Sequence, residues 1–419
     1  MCPHFEECGG CQYQHISLAT QRELKRQQVI DALHDIGQLD SSIFGVQPVQ
    51  GTTHAYGYRD KLTPQVRYDR RARRVAVGFQ RKGKTSVLDV EECAIATSSV
   101  NTAFVQVRMA VVQRYGELED GRPTLAPGLA KHNRILKNGE NLLLRSAGPE
   151  AAFVGTRHAD VITQKVCGVY FRYLAGEFFQ NNSHVLPLLV GFVLRQAAAA
   201  GPSSGSCDYL IDAYCGSGLF ALCASRYRRS EGGSEHVQQV EEWRGEVPLA
   251  FSRVVGLEIS KVAVASARAN AERNGIEGVQ FIAGDSASLF QGVVAPQSES
   301  GSQSLGDQSQ SQPFPTDRTA VIIDPPRSGC DEAFLAQLLA FAPRKVVYVS
   351  CDVTTQARDA ATLTSAVMGS SVAGGRGRSR YCIVDCTPFD LFPQTRHIEN
   401  VLTFVKTDIT GDDEDEDCR

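Results

Sequence analysis

From residue 209 onward, short apolar runs alternate with stretches of helical pattern, and this alternation limits the folds available to the chain more than any other feature. Seven strands are predicted, at residues 209–213, 254–257, 279–283, 320–323, 346–350, 381–385 and 401–405. The clearest helices between them are predicted at residues 262–274, 333–341 and 354–366. Such alternation is typical of an α/β fold in which helices cover both faces of a mostly parallel, doubly wound sheet. We therefore expect a Rossmann-like domain here.

The chain of 419 residues is long enough for two or three domains, each with its own core. We predict a cysteine-cluster segment with a helix at 1–40, a smaller β-rich α+β domain at 41–175, a connecting helix and linker at 176–206, the α/β domain at 207–407 and an acidic tail at 408–419. Three polar segments without apolar pattern are expected to be surface insertions, at 228–249, 294–317 and 369–379.

No stretch reaches the roughly 18 apolar residues of a membrane span, and the first residues lack the charged-then-apolar pattern of a secretion signal. We therefore expect a soluble, intracellular protein with no membrane partner, and we expect it to be a monomer. Its 13 cysteines should then stay reduced, so that metal binding and nucleophilic catalysis become the roles to consider.

Positive charge is concentrated in one stretch of a chain whose overall net charge is −4. Residues 59–84 contain two acids and ten basic residues, namely Arg59, Lys61, Arg67, Arg70, Arg71, Arg73, Arg74, Arg81, Lys82 and Lys84. Alternating apolar and small residues between two turns predict a β-meander with basic tips. Contact with a phosphate backbone requires such a run of positive charge, although a solvated hairpin would have the same composition.

Three cysteines, Cys2, Cys8 and Cys11, lie at the start of the chain with C-x5-C-x2-C spacing, and Cys93 ends a strand in the basic segment. Four thiolates can hold either a tetrahedral zinc ion or a [4Fe–4S] cluster. Zinc sites more often consist of two C-x2-C pairs, so three close cysteines and a distant one favour iron–sulfur. Zinc, or no metal at all, remains an alternative.

The apolar run KVVYVSCD at residues 345–352 reads as a strand buried on both faces, and it ends at Cys351. Ligands of open α/β sheets bind at the carboxyl ends of strands, so Cys351 is either a catalytic thiol or a buried structural one. Other strand ends carry a glycine loop at 212–218 and the acids Glu258, Asp285 and Asp324. The loop suits a nucleotide, but the lack of a G-x-G-x-x-G pattern argues against nicotinamide.

Taken together, these motifs resemble those of class I methyltransferases and, more closely, of the RNA uracil carbon-5 methyltransferase family, which makes 5-methyluridine in tRNA and rRNA. The motifs that carry the resemblance are C-x5-C-G-G-C with Cys93, Phe178-Phe179-Gln180-Asn181-Asn182, Asp212-Ala213-Tyr214-Cys215-Gly216-Ser217-Gly218, Asp324-Pro325-Pro326-Arg327, Tyr348-Val349-Ser350-Cys351-Asp352 and DLFPQTRHIE at 390–399.

The resemblance implies transfer of a methyl group from S-adenosylmethionine to carbon 5 of a uridine, with Cys351 as nucleophile and Glu399 as base. It implies that the cofactor is bound by Gln180, Tyr214, Gly216, Glu258, Asp285 and Asp324. It also implies a [4Fe–4S] cluster on the four cysteines. We expect an RNA partner, tRNA rather than rRNA, because the inserts give the chain a eukaryote-like character.

Two departures from the family pattern stand out. Leu219 follows the glycine loop where many bacterial relatives have Asn, so a contact to the cofactor is expected to be lost. Many relatives begin with an RNA-binding TRAM domain, whereas Cys2 already belongs to the cluster motif. This suggests a truncated start or reliance on the basic meander. Two other functions stay open: a nitrogen-directed methyltransferase using Asp324-Pro325-Pro326, and a non-catalytic iron–sulfur protein that binds RNA.

Overall fold

The computed structural model describes residues 1–69, 74–115, 140–199, 206–226, 251–284, 313–369 and 378–409. Within them lie eight α-helices: α1 (Leu18–Asp35), α2 (Ser41–Phe44), α3 (Ser98–Tyr115), α4 (Leu186–Ala198), α5 (Leu219–Arg226), α6 (Lys261–Arg273), α7 (Glu332–Phe341) and α8 (Val353–Ser365).

The strands of the first half are β1 (Lys61–Leu62), β2 (Gln65–Asp69), β3 (Arg74–Gln80), β4 (Val87–Asp89), β5 (Glu140–Asn141), β6 (Leu144–Ser146), β7 (Val154–Gly155), β8 (Val161–Val166) and β9 (Val169–Leu174). Those of the second half are β10 (Tyr209–Ala213), β11 (Arg253–Glu258), β12 (Val279–Ala283), β13 (Thr319–Ile323), β14 (Lys345–Ser350), β15 (Met368–Gly369), β16 (Arg378–Phe389) and β17 (Glu399–Ile409).

The second-half strands form one eight-stranded sheet in the order β12-β11-β10-β13-β14-β17-β16-β15. The first five strands run parallel, and β17 pairs antiparallel with β14. All seven predicted strands are confirmed. β16 and β17 extend beyond the predicted bounds because they pair with each other from Arg378 opposite Ile409 to Phe389 opposite Glu399.

Alternate residues of each central strand face opposite layers, as a doubly wound sheet requires. Leu210 and Ala320 face a layer made of α4, α5, α6 and the β8–β9 hairpin. Ile211 and Val321, one residue further on, face a layer made of α1, α7 and α8. All six residues of β14 are buried, which agrees with the strand predicted from its unbroken apolar run.

The first-half strands form smaller sheets. β2, β3 and β4 are antiparallel neighbours in a four-stranded sheet of order β4-β3-β2-β5, which is the predicted meander. Val66, Val77 and Leu88 of these strands pack against Val100 and Phe104 of α3.

Parts of the predicted insertions and tail lie outside the described residues, at 228–249, 294–312, 370–377 and 410–419, as do Arg70, Arg71 and Arg73. The end of the predicted 294–317 insertion differs from expectation. Phe314 is 3% exposed and packs edge-on against Tyr209, with ring centroids 5.5 Å apart, so an apolar side chain anchors it to the core. In the described part of the chain, helices long and apolar enough to span a membrane are absent.

Candidate active site

The carboxyl ends of the parallel strands meet at one edge of the large sheet. Ala213 of β10 pairs with Leu257 of β11 on one side and with Ile323 of β13 on the other. The residues that follow these strands therefore lie side by side, and they line a cavity of about 1040 Å³. The predicted site residues that line it are Gln180, Tyr214, Gly216, Glu258, Asp324, Cys351 and Glu399. Asp285 lies outside the described residues.

The glycine loop after β10 is held by Glu258, the last residue of β11. Gly216 and Gly218 have positive φ angles of 53° and 90°, and a Cβ on Gly218 would lie 3.0 Å from the ring of Phe281. The N–H of Gly216 donates to Oε2 of Glu258 at 3.0 Å, and the N–H of Ser260 donates to Oε1 at 2.9 Å. Glu258 thus occupies the position where nucleotide-binding folds place an acid for the ribose hydroxyls.

Cys351 and Glu399 are brought together by a change in strand direction. β14 ends at Ser350, which lies opposite Asn400 of β17. Because β17 is antiparallel, its first residue lies at the edge where the parallel strands end. Glu399 therefore lies beside Cys351, and both side chains line the cavity. The thiol of Cys351 is half-buried, and Glu399 is 1% exposed.

The charged groups around Cys351 have opposing effects on it. Burial and then the carboxylates of Glu399 and Asp324 raise the pKa of the thiol to about 11, against Arg327, which lowers it through charge and a hydrogen bond. Burial raises the pKa of Asp324 to about 7. Burial and then repulsion from Asp324 hold the pKa of Glu399 well above its ordinary value, against the attraction of Arg327. The neutral forms of these groups are therefore favoured until a cation enters the cavity.

A buried arginine that the sequence analysis missed holds the segment carrying Gln180. The Nη2 of Arg145, which is 0% exposed, donates to the carbonyls of Phe179 and Gln180 at 3.1 Å each, and its Nη1 donates to the side chain of Asn181. Gln180 itself is 6% exposed. The sequence did contain a signal, since Arg145 directly follows the apolar run 142–144. An arginine buried beside such a run must have its guanidinium paired.

The loop at residues 390–398, which connects β16 to β17, is fastened to the N-terminal part of the chain. Lys25 of α1 donates to Oδ1 of Asp390 at 2.5 Å, and both side chains are 0% exposed. The hydroxyl of Tyr58 donates to the carbonyl of Pro393 at 2.8 Å. The sequence showed the loop as a motif but gave no sign of these partners.

The four cysteines predicted as metal ligands, Cys2, Cys8, Cys11 and Cys93, line the same cavity. Cys8 forms an isolated bridge with Arg81, which places the N-terminal segment against the end of β3. Burial, with smaller contributions from the charges of Cys11 and Cys8, raises the pKa of Cys93 to about 12. Across the described ranges, no three His, Cys, Asp or Glu side chains are arranged to hold a single metal ion. The thiols thus share a cavity without forming a ready zinc site.

A second, shallower groove of about 630 Å³ adjoins the cavity. The groove is lined by Arg81 and Lys84, and it shares Thr63 and Phe79 with the cavity. Arg81 forms an ion pair with Glu7, whereas Lys84 is exposed. The basic meander therefore borders the site on this side.

Comparisons with known proteins agree with this geometry. Residues 246–407 match the family described as tRNA (Uracil-5-)-methyltransferase. The tRNA (uracil(54)-C(5))-methyltransferase of Schizosaccharomyces pombe is 32% identical over 412 residues, which cover 97% of this chain and 65% of that protein. The second half of the chain thus matches the tRNA (uracil-5-)-methyltransferase family, and nearly the whole chain is similar to the S. pombe protein.

A second relative, the tRNA (uracil(54)-C(5))-methyltransferase of Saccharomyces cerevisiae, is 29% identical over 443 residues, which cover 95% of this chain and 61% of that protein. The chain thus spans less than two thirds of the length of either yeast relative. The crystal structure of Pyrococcus abyssi tRNA (uracil-54, C5)-methyltransferase in complex with S-adenosyl-L-homocysteine has a TM-score of 0.58 and 18% identity, covering 94% of this chain and 86% of that one. This likeness confirms the predicted fold.

Proposed function

We propose that this protein transfers a methyl group from S-adenosylmethionine to carbon 5 of a uridine in RNA, with tRNA as the preferred substrate. The observation that carries the proposal is the placement of Cys351 beside Glu399 in the cavity that also contains Gly216 and Glu258. The names of both yeast relatives support the tRNA substrate. The S-adenosyl-L-homocysteine bound to the P. abyssi protein supports the cofactor.

The residues of the cavity suit a positively charged methyl donor. S-adenosylmethionine would supply a methyl group attached to a sulfonium. Glu258 and Asp324 line the cavity, and repulsion from both adds to the effect of burial in raising the pKa of Asp212 to about 8. Within the described residues, Oδ1 of Asp212 has no hydrogen-bond partner. A cluster of buried acids whose charge is unfavourable when empty is expected to attract a cation.

The two reacting side chains would act in sequence. Carbon 5 of uracil is a weak nucleophile until the thiolate of Cys351 adds to carbon 6 and converts the ring to an enolate, which then takes the methyl group at carbon 5. Glu399 would next accept the proton from carbon 5. The electrons of the broken C–H bond form the C5=C6 double bond, and the Sγ–C6 bond breaks to release the thiolate.

The RNA would present its uridine unstacked, because the reacting atoms lie within a cavity. The groove beside the cavity offers a path for the backbone, with the exposed Lys84 available to phosphates. Arg59 lines the cavity itself and adds positive charge there.

We propose further that Cys2, Cys8, Cys11 and Cys93 hold a [4Fe–4S] cluster with a structural or RNA-positioning role. Four thiols facing one cavity, without three close enough for a single ion, fit a larger cluster better than zinc. Iron and acid-labile sulfide analysis tests this proposal: stoichiometric amounts should be found in the wild type and lost in Cys11→Ser. Stoichiometric zinc in the wild type would contradict it.

The decisive experiment is methyl transfer from labelled S-adenosylmethionine to unmodified tRNA and rRNA, followed by nucleoside analysis. Wild type should produce 5-methyluridine and form a covalent adduct with 5-fluorouridine RNA. Cys351→Ala should do neither, whereas Cys207→Ala, a buried cysteine that does not line the cavity, should keep both. Activity in Cys351→Ala, or a product methylated on nitrogen, would overturn the proposal and make Asp324-Pro325-Pro326 the reactive motif.

A further inference from the structure

Two buried glutamines pair with each other behind the active site. Gln21 of α1 is 1% exposed, and Gln394 of the 390–398 loop is 3% exposed. The Nε2 of Gln21 donates to Oε1 of Gln394 at 3.0 Å, and the backbone N–H of Gln394 donates to Oε1 of Gln21 at 2.8 Å. Buried amides that satisfy each other in this way hold one geometry, since any shift leaves a polar group unpaired.

The same two glutamines also form hydrogen bonds with the segment that follows Cys11. The N–H groups of Gln12 and Tyr13 donate to the carbonyl oxygen of Gln394 at 2.9 and 3.0 Å. The Nε2 of Gln21 also lies 3.1 Å from the carbonyl oxygen of Tyr13. Helix α1, the cysteine segment and the 390–398 loop therefore converge on one pair of side chains.

The backbone conformation of Gln394 indicates that its surroundings constrain this residue. Its φ angle is 70°, in the left-handed region that a residue with a side chain keeps only when its surroundings impose it. Five residues later the chain reaches Glu399. Neither Gln21 nor Gln394 lines the cavity, whereas Thr395 and His397 of the same loop do.

We propose that Gln21 is a positioning residue which, through Gln394, sets the approach of the Glu399 carboxylate to carbon 5 of the methylated uridine. Gln21 touches neither RNA nor cofactor. It acts on the last step, in which Glu399 takes the proton and the Sγ–C6 bond of Cys351 breaks. This inference rests on the proposed function.

The test substitutes Gln21→Leu, which keeps the size of the side chain and removes both its donor and its acceptor. Addition of the thiol and methylation should proceed, while proton removal slows by about tenfold or more, because a small misplacement of a catalytic group is costly. A methylated, covalent RNA–protein complex should then accumulate on ordinary uridine RNA, visible as labelled RNA that migrates with the protein under denaturing conditions. kcat and the KM for RNA should fall together and leave kcat/KM unchanged, because slow release makes the covalent complex accumulate.

The matched control is Gln27→Leu on the same helix, because the amide of Gln27 donates only to Asp31 of that helix, at 2.7 Å. It should show no accumulated complex. If Gln21→Leu does not fold, as judged by thermal unfolding, Gln394→Ala removes the same side-chain pair and should give the same accumulation.

Two failures are distinguishable. A wild-type protein that forms no adduct with 5-fluorouridine RNA would overturn the proposed function itself. A wild-type protein that does form it, together with folded Gln21 and Gln394 variants that accumulate no complex or raise KM instead, would overturn only the positioning role.

Discussion

At the residue scale, the proposed reaction requires Cys351 to lose its proton, yet its surroundings oppose this. Burial, together with the two carboxylates of Glu399 and Asp324, raises the pKa of its thiol to about 11. Arg327, exposed at the rim of the cavity, acts in the other direction. The arginine that follows Asp324-Pro325-Pro326 is therefore the group on this chain best placed to favour the thiolate before a cationic cofactor arrives.

We expect Arg327→Gln to slow formation of the 5-fluorouridine adduct at saturating RNA. Loss of the arginine raises the pKa of Cys351, and a rise of one unit lowers the thiolate fraction about tenfold at every pH below the pKa. In both proteins the rate should increase with pH between 7 and 9. Stopped-time assays across this range measure the difference. The control is Arg396→Gln, which removes an exposed cation of the 390–398 loop and should leave the rate unchanged. Coincident profiles for Arg327→Gln and wild type would contradict the assignment.

Asp212 should make folding stability depend on pH. Burial raises its pKa in the folded protein from 3.8 to about 8, so the folded state binds a proton that the unfolded state has lost within that interval. Stability from this group is therefore present below pH 4 and falls as pH rises toward 8, by about 1.4 kcal/mol per pH unit at most. Asp212→Asn should flatten the dependence in denaturant titrations between pH 5 and 8. Asp408→Asn, which replaces an exposed acid, should leave the pH dependence of stability unchanged. The prediction is refuted if Asp212→Asn has the same slope as wild type.

At the scale of elements, α1 connects the sheet to the 390–398 loop. Val29 and Leu33 of α1 pack in the layer that contains α7 and α8. One turn earlier on the same face, the helix presents Lys25 to Asp390 and so holds the loop that leads into β17. One helix therefore fixes both the sheet and the loop before Glu399.

We expect Lys25→Met to destabilise the protein by about 3–5 kcal/mol, because it leaves the buried carboxylate of Asp390 without its 2.5 Å partner. Adding Asp390→Asn to this variant removes the orphaned charge and should recover part of the loss. Lys261→Met, an exposed lysine of α6, serves as the control in thermal unfolding. If Lys25→Met lowered the stability no more than Lys261→Met does, the result would contradict this prediction. It would show that Arg22, 3.7 Å from Asp390, is enough to compensate the buried carboxylate.

At the scale of the whole molecule, charge is distributed unevenly. The net charge of −4 disfavours contact with a polyanion in general, so the proposed RNA binding would depend on the local basic surface beside the cavity. Lys82 and Lys84 lie at the exposed turn after β3, next to the groove.

The double variant Lys82→Ala/Lys84→Ala should weaken tRNA binding and make it less sensitive to salt. Each phosphate contact contributes about 0.7–0.9 to the slope of log affinity against log salt, so the slope should fall by about 1–2. Arg273→Ala, an exposed cation on α6, is the control. Filter binding at several salt concentrations gives the slopes, and an unchanged slope would place the RNA elsewhere.

Much of the α/β half was predictable because its strands are short apolar runs whose side chains are buried on both faces, and such runs need no long-range information. The cavity residues were predictable for a related reason, since parallel strands end at one edge of a sheet and their last residues must be neighbours. Arg145, Lys25 and Gln21 were not predictable in this way, because their partners lie far away in sequence.

The sequence by itself determined the order of strands and helices, the glycine loop with its acid, and the residue types available for attack and proton removal. These follow from local patterns of polarity and from turn chemistry. Only the tertiary structure decided that β17 runs antiparallel beside β14, which puts Glu399 next to Cys351, and that α1 and the cysteine segment hold the loop between them. Strand direction and buried polar pairing depend on contacts between segments dozens to hundreds of residues apart, and a local pattern carries no information about them.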